Sequence, residues 1–96
     1  MTINFNELTP GETERLAILS EECGEVIQAI GKILRHGYES THPRGEPTNR
    51  EALETEIAHV KFISRLMKQK YDLSCSNIIY GMVNKRKSIQ QYLHHQ

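Results

Sequence analysis

The stretch SEECGEVIQAIGKILRHG, residues 20–37, joins an apolar helical pattern to three closely spaced acids. On a helical wheel of about 100° per residue with Glu22 at zero, Glu25 lies near −60° and Glu21 near −100°. An apolar arc lies beside them, from roughly 20° to 160°. Its members are Leu16, Leu19, Cys23, Val26, Ile27, Ile30, Ile33 and Leu34. Glu22 and Glu25 can therefore direct their carboxylates to one point at the edge of a core stripe.

Capping residues set the limits of this first helix. Thr9 is a good N-cap, Pro10 suits the first helical position, and Glu12 has the spacing that closes a capping box. Gly37 can take the left-handed conformation that commonly ends helices. The sequence therefore predicts helix one from about Pro10 to Arg35.

The next segment, Tyr38–Asn49, contains two prolines and a glycine and predicts a loop. Such a loop either closes over a ligand or merely connects two helices. Thr48 and Glu51 repeat the capping-box spacing, which predicts helix two from about Asn49 to Lys70.

A turn at Tyr71–Ser76 leads to a third helix, capped by Ser74 or Ser76. Its apolar residues recur at helical spacing, namely Ile78, Ile79, Met82, Val83, Ile89 and Leu93. No alternating pattern predicts strands. We therefore predict an all-α fold, a helical bundle of three main helices per chain that oligomerisation completes as four-helix cores.

The whole chain has 96 residues, 12 basic and 12 acidic side chains, and 38% hydrophobic residues. This size predicts a single domain, residues 1–96, with a small core that favours self-association. Zero net charge argues against nucleic-acid binding. Cys23 and Cys75 form no disulfide framework, and Cys23 is expected to be a buried free thiol. No pattern predicts secretion or a membrane span, so we expect a cytoplasmic protein.

Helix two places two polar side chains inside an apolar arc. With Glu56 at zero, the arc runs from about −20° to 100°, and other apolar residues extend it to about −120° on the other side. Glu56 and His59 lie within it. An ionised carboxylate in an apolar face is costly unless it is paired or binds a cation. Two interpretations stay open, an ion pair involving Glu56 and His59, or a metal site.

The acids also carry a family resemblance. Glu21–Glu25 reads EExxE, and Leu53–Val60, about thirty residues later, reads LETEIAHV. This pair resembles the EExxE and ExxD motifs of the MazG-like all-α nucleoside triphosphate pyrophosphohydrolases, over most of the chain. The resemblance implies that Glu22, Glu25 and Glu56 bind Mg²⁺ and that Glu21 or Glu25 assists catalysis. His59 stands where the family has Asp.

The same resemblance implies a substrate and an assembly. The family cleaves a nucleoside triphosphate between the α and β phosphates, giving the monophosphate and pyrophosphate. The substrate here would be such a nucleotide or a related phosphorylated small molecule, and the protein a homodimer or homotetramer. Asn84, Lys85 and Arg86 look similar to family residues that face the phosphates. The alternative is a solvated basic face that complements the helix dipole.

His59 leaves other functions open. An imidazole in the fourth position tilts the metal preference toward Mn²⁺ or Zn²⁺, or marks a weak or inactive nucleotide-binding or structural helical dimer. A further alternative is a ferritin-like di-metal carboxylate protein, because such sites combine glutamates with ExxH motifs from several helices.

Overall fold

The computed structural model describes residues 5–95, apart from the side chain of His42. Three α-helices form most of it, α1 (Pro10–His36), α2 (Asn49–Gln69) and α3 (Cys75–Ser88), and a short 3₁₀ turn follows at Ile89–Gln91. The prediction of a mostly helical chain with three main helices is confirmed. Completion of four-helix cores by oligomerisation stays a prediction.

Reciprocal capping boxes start both long helices. The Thr9 amide donates to Glu12 Oε1 at 2.8 Å, and the Glu12 amide donates to Thr9 Oγ1 at 3.1 Å. Thr48 and Glu51 repeat this exchange at 3.0 and 3.1 Å. Because each cap satisfies amides that the helix leaves unpaired, α1 and α2 begin where the sequence predicts.

The other helix ends differ slightly from the predictions. α1 extends to His36, one residue further, and the Gly37 amide donates to the Ile33 carbonyl at 2.7 Å. Gly37 has φ 87° and ψ 168°, which is a glycine conformation but not the left-handed helical one that we expected. Of the two candidate caps for α3, Ser74 is the one used, because its Oγ accepts from the Asn77 amide at 3.2 Å.

The segment between the long helices is a small hairpin, whereas the sequence predicted no strands. β1 (Thr41–His42) pairs antiparallel with β2 (Gly45–Thr48). Strands of two and four residues are too short to show an alternating pattern, so periodicity could not reveal them. Arg50 ties the base of the hairpin to α2, since its guanidinium contacts Glu39 at 2.7 Å and lies 4.3 Å from the centre of the Tyr38 ring.

α1 and α2 pack antiparallel. At one end, Arg15 near the start of α1 forms a bidentate ion pair with Asp72, just after α2. At the other end, Asn49 Nδ2 donates to the Gly37 carbonyl at 3.1 Å. The seam between the two helices is therefore closed at both ends by polar contacts.

The contact line of this pair runs through the acids rather than through the centre of the apolar stripe. The buried side chains among the described residues are Ala29, Ile63 and Met67. On helical wheels of about 100° per residue, Ala29 lies about 20° from Glu22. Ile63 and Met67 lie about 20° on either side of Glu56. α2 thus covers the shoulder of the α1 stripe on which Glu22 lies.

The side of the stripe away from Glu22 consequently stays uncovered in the single chain. Ile27 is 70% exposed and Leu34 is 81% exposed. Cys23 is also exposed, so the expectation of a buried thiol is wrong for one chain. These residues, which the sequence assigned to a core, form an outward apolar face instead.

α3 makes no extensive contact with either long helix, and none of its residues is buried. Among residues 5–95, no helix has the length and apolar character needed to cross a bilayer.

Candidate metal centre

Four side chains with metal-binding atoms converge in the seam between α1 and α2. Glu22 and Glu25 come from α1, and Glu56 and His59 come from α2. One ligand atom from each lies within 4.8 Å of the corresponding atoms of the other three. They meet because both pairs occupy the helix faces that form the contact line, at spacings of three residues.

His59 lies between two of the acids. Its Nδ1 is 3.3 Å from Glu22 Oε2 and 3.6 Å from Glu56 Oε2. The imidazole is half exposed, whereas the Glu22 and Glu56 side chains are about one-fifth exposed. The two contacts are ion pairs only when the imidazole is protonated, so a neutral His59 leaves the charge of both carboxylates uncompensated.

Two carboxylate oxygens in this cluster lack hydrogen-bond partners. Glu22 Oε2 and Glu56 Oε2 are shielded from solvent and accept no hydrogen bond from residues 5–95, although both lie near His59 Nδ1. Leaving a buried acceptor unsatisfied costs about 1–3 kcal/mol, and more for a charged group. The cluster is therefore unfavourable when His59 is neutral and no cation is bound, and a bound cation would remove the cost.

The proximity of Glu56 also changes the titration of Glu25. The pKa of Glu25 is raised, first by a hydrogen bond shared with Glu56, next by repulsion from that carboxylate, and then by burial. The positive charge that His59 carries when protonated acts in the opposite direction. A raised carboxylate pKa beside a second carboxylate is typical of a pair that shares a proton until a cation replaces it.

The donor set fits a divalent cation. Donor atoms on opposite sides of a Mg²⁺ ion are separated by about 4 Å, since each bond is about 2.0–2.1 Å long. The observed cluster needs only small side-chain adjustments to reach that spacing. Glu22, Glu25 and Glu56 would supply oxygen ligands, and His59 would supply a nitrogen, a ligand that Mn²⁺ and Zn²⁺ accept more readily than Mg²⁺ does.

Other predicted site residues lie outside the cluster. Glu21 is exposed on α1, beside the converging atoms but not among them. Asn84, Lys85 and Arg86 are exposed on α3, and Lys85 lies 5.9 Å from the centre of the Tyr92 ring. Within one chain these three residues are not brought to the carboxylates, and their role at a substrate stays a prediction.

The sequence reasoning missed a cavity of about 130 Å³ beside the cluster. Glu25 and Glu56 form part of its wall, together with Gln28, Lys32 and Asn49. The sequence did contain a sign of this cavity wall. Lys32 follows Glu25 by seven positions, so it lies on the same helix face two turns further along.

Comparison with known proteins adds no assignment to this geometry. No protein-family model, no curated protein and no solved structure matches the chain. The resemblance to the MazG-like enzymes therefore stays a prediction drawn from the residues.

Proposed function

We propose that this chain is a divalent-metal-dependent nucleotide pyrophosphohydrolase of the MazG-like type. It would convert a nucleoside triphosphate to the monophosphate and pyrophosphate. The observation that carries the proposal is the convergence of Glu22, Glu25, Glu56 and His59, with two shielded carboxylate oxygens that accept no hydrogen bond from the described residues. A cluster that is unfavourable when empty and that matches an oxygen-rich cation site supports metal-assisted phosphate chemistry.

In the proposed reaction, a water oxygen bonds to the α-phosphorus. The bond from that phosphorus to the αβ-bridging oxygen breaks, and pyrophosphate leaves with the electron pair. A bound divalent ion supplies charge neutralisation and a lowered pKa for the water. Glu25 is the better placed of the two candidate helpers to accept the water proton, because Glu21 is exposed outside the cluster.

A second copy of the chain is part of the proposal. Cys23, Val26, Ile27, Ile57 and Val60 line a shallow depression of about 440 Å³ on the outward apolar face. Exposed apolar patches of this kind commonly mark protein interfaces. A homodimer, or a homotetramer built from two such dimers, would cover this face and complete the four-helix cores.

The test is a panel of nucleoside triphosphates assayed with Mg²⁺ and with Mn²⁺, for the native chain and for Glu56→Gln. We expect metal-dependent release of pyrophosphate, and a loss of at least about 100-fold in Glu56→Gln because one ligand is neutralised. Glu54→Gln is the matched control, since Glu54 lies on α2 two residues earlier and is exposed. Full activity in Glu56→Gln would contradict the site.

One observation favours a second candidate, a dimer that binds nucleotides without turning them over. The fourth ligand is a half-exposed histidine in place of the aspartate of the family pattern, which removes a negative charge from the site. Nucleotide binding without pyrophosphate release, across the panel and with either metal, would select this function. A ferritin-like centre would instead give an optical charge-transfer band with iron.

A further inference from the structure

The seam between α1 and α2 changes in chemical character along its length. The carboxylate cluster lies near its middle. Towards the hairpin the cavity walls carry cations, and towards the other end they are apolar. Lys32 on the cationic side and Ile18 on the apolar side are fourteen positions apart, about 21 Å along the helix axis. A ligand that spans the cluster would therefore meet different chemistry at its two ends.

The cationic side is a continuous groove. The cavity of about 130 Å³ beside Glu25 and Glu56 shares Lys32, Asn49 and Ala52 with a cavity of about 400 Å³ under the hairpin. The larger cavity adds two further basic side chains, Arg35 and His36. Lys32 thus connects the carboxylates to the rest of the groove, which we term the basic groove.

The basic side chains of this groove have no partners within the described residues. Lys32, Arg35 and His36 make no hydrogen bond or ion pair there, whereas Arg15 and Arg50 are both paired with acids. Arg35 and His36 lie in the last turn of α1, where cations also complement the helix dipole. Lys32 lies before that turn, so the dipole does not account for it.

Backbone amides at the start of α2 are not free to bind an anion in this groove. The Asn49 amide donates to the Ser40 carbonyl at 2.8 Å, and the Arg50 amide donates to the Tyr38 carbonyl at 2.9 Å. These two amides are therefore already occupied, and the positive charge of the groove comes from the basic side chains. Glu46 also lines the larger cavity, so the positive charge is concentrated on the α1 side of the groove.

The opposite side of the cluster is an apolar cavity of about 260 Å³. Ile18, Phe62 and Leu66 form its apolar walls, and Glu22 and His59 lie at its edge. Phe62 is 68% exposed, an unfavourable placement for a large ring in a free helix pair. Aromatic faces of this kind commonly stack on nucleobases.

We propose that a nucleoside triphosphate lies along the seam with its terminal phosphates at Lys32 and Arg35 and its base against Phe62, across the carboxylate cluster. This orientation rests on the proposed function. The basic groove then holds the pyrophosphate leaving group, and Lys32 compensates the negative charge that the leaving group gains as the phosphorus–oxygen bond breaks. Lys32, rather than a residue of α3, is the first cation along the path from the metal centre.

The test measures binding by calorimetry with two probes, inorganic triphosphate and a nucleoside monophosphate, each with and without Mn²⁺. We expect Lys32→Gln to raise the Kd for triphosphate about tenfold, because one charge-assisted contact is lost, with little change for the monophosphate. Phe62→Ser should weaken binding of the monophosphate and leave the affinity for triphosphate unchanged. Arg65→Gln, an exposed cation elsewhere on α2, and Tyr80→Ser, an equally exposed aromatic residue on α3, are the matched controls.

The outcomes separate this orientation from the proposed function. If Lys32→Gln binds triphosphate like the native chain while Mn²⁺ binding and hydrolysis persist, the orientation is overturned and the function stands. The opposite pattern, no Mn²⁺ binding but a triphosphate affinity that depends on Lys32, would refute the metal centre and retain the groove. Weaker triphosphate binding in Phe62→Ser, with the monophosphate unaffected, would reverse the orientation. Circular dichroism melting of each variant verifies folding.

Discussion

The seam between α1 and α2 and the helix α3 carry similar residue types in very different settings. Both have apolar residues at helical spacing, and both have clustered cations, Lys32 and Arg35 in the seam and Lys85 and Arg86 on α3. In the seam these side chains border cavities next to the carboxylates. On α3 every charged residue is exposed and no residue is buried.

The difference teaches what one chain can complete by itself. Two antiparallel helices are sufficient to bring four ligand atoms together and to form a groove beside them. Within residues 5–95, none of the α3 residues is buried, so its apolar side chains would gain from burial only if another copy covered them. A role of α3 at the site would therefore depend on oligomerisation, whereas the carboxylate cluster would not.

The largest expected effect compares the cores of the two regions. Ile63 is 2% exposed in the seam, and Ile63→Ala should lower the free energy of unfolding by about 2–5 kcal/mol, because it leaves a cavity. Val83 on α3 is 46% exposed, and Val83→Ala should have a much smaller effect in dilute protein. Urea denaturation at several protein concentrations measures both.

Equal losses for the two variants would break the comparison, since α3 would then be packed as tightly as the seam. An effect of Val83→Ala on stability that grows with protein concentration would support the contrast between the seam and α3. Such a dependence would mean that Val83 is buried against another copy of the chain.

The contrast between the two regions also explains how far the sequence could predict the structure. Helix starts were predictable because Thr9 and Thr48 have local partners three residues away. The approach of Glu22 to Glu56 was predictable because Glu22 lies at the edge of one apolar arc and Glu56 lies within the other. The sequence could not predict which edge of the α1 arc α2 would cover. That choice depends on the close approach of the helices at Ala29 and on contacts between distant residues such as Arg15 and Asp72.

The hairpin and the basic groove show the same limit. Strands as short as Thr41–His42 have no readable period, and Lys32 alone in a sequence is an ordinary surface lysine. Only the path of the chain over the end of the seam makes Lys32 part of a cavity wall with Glu25 and Glu56.

A second prediction sharpens the claim that the seam binds a cation within one chain. His59→Asp replaces an imidazole by a carboxylate among three acids, so Mg²⁺ affinity should rise several-fold, about tenfold at most, because a hard oxygen ligand and a negative charge are added. Calorimetric titration with Mg²⁺ measures it, and the same substitution at the exposed His94 is the control. Weaker Mg²⁺ binding in His59→Asp would show that position 59 does not face the ion.

A third prediction concerns the pH dependence of stability that the raised pKa of Glu25 causes. The pKa of Glu25 is raised in the folded chain, so its contribution to stability is present below the ordinary glutamate pKa of about 4.3 and is lost as the pH rises through the raised value. In metal-free buffer, the native chain should therefore lose stability relative to Glu25→Gln as the pH rises above about 4.3. Urea denaturation at stepped pH measures the difference. Parallel profiles for the two proteins would mean that Glu25 and Glu56 do not interact.

Addition of Mn²⁺ provides the internal control for this profile. A bound cation favours the ionised carboxylates, so the native chain should gain stability with pH once the metal is present, and Glu25→Gln should gain less. α3 contains no aspartate or glutamate, which confines this response to the seam if the comparison is right.

The smallest expected effect lies at the border between the two regions. Asp72 follows α2 and precedes α3, and its ion pair with Arg15 lowers its pKa, the hydrogen bond from the guanidinium being the main cause. The stability that this pair contributes is present above the ordinary aspartate pKa of about 3.9 and is lost as the pH falls through the lowered value.

Asp72→Asn should therefore flatten the pH dependence of unfolding below about pH 4, while the profile above that pH, where Glu25 titrates, keeps its shape. Because Asp72 lies where the chain turns from α2 towards α3, a loss of stability that is constant above about pH 4 and disappears in acid, with α3 helicity kept, would show that Arg15 anchors the end of the seam without supporting α3. A loss of α3 helicity in Asp72→Asn at neutral pH would instead show that the seam and α3 fold as one cooperative unit.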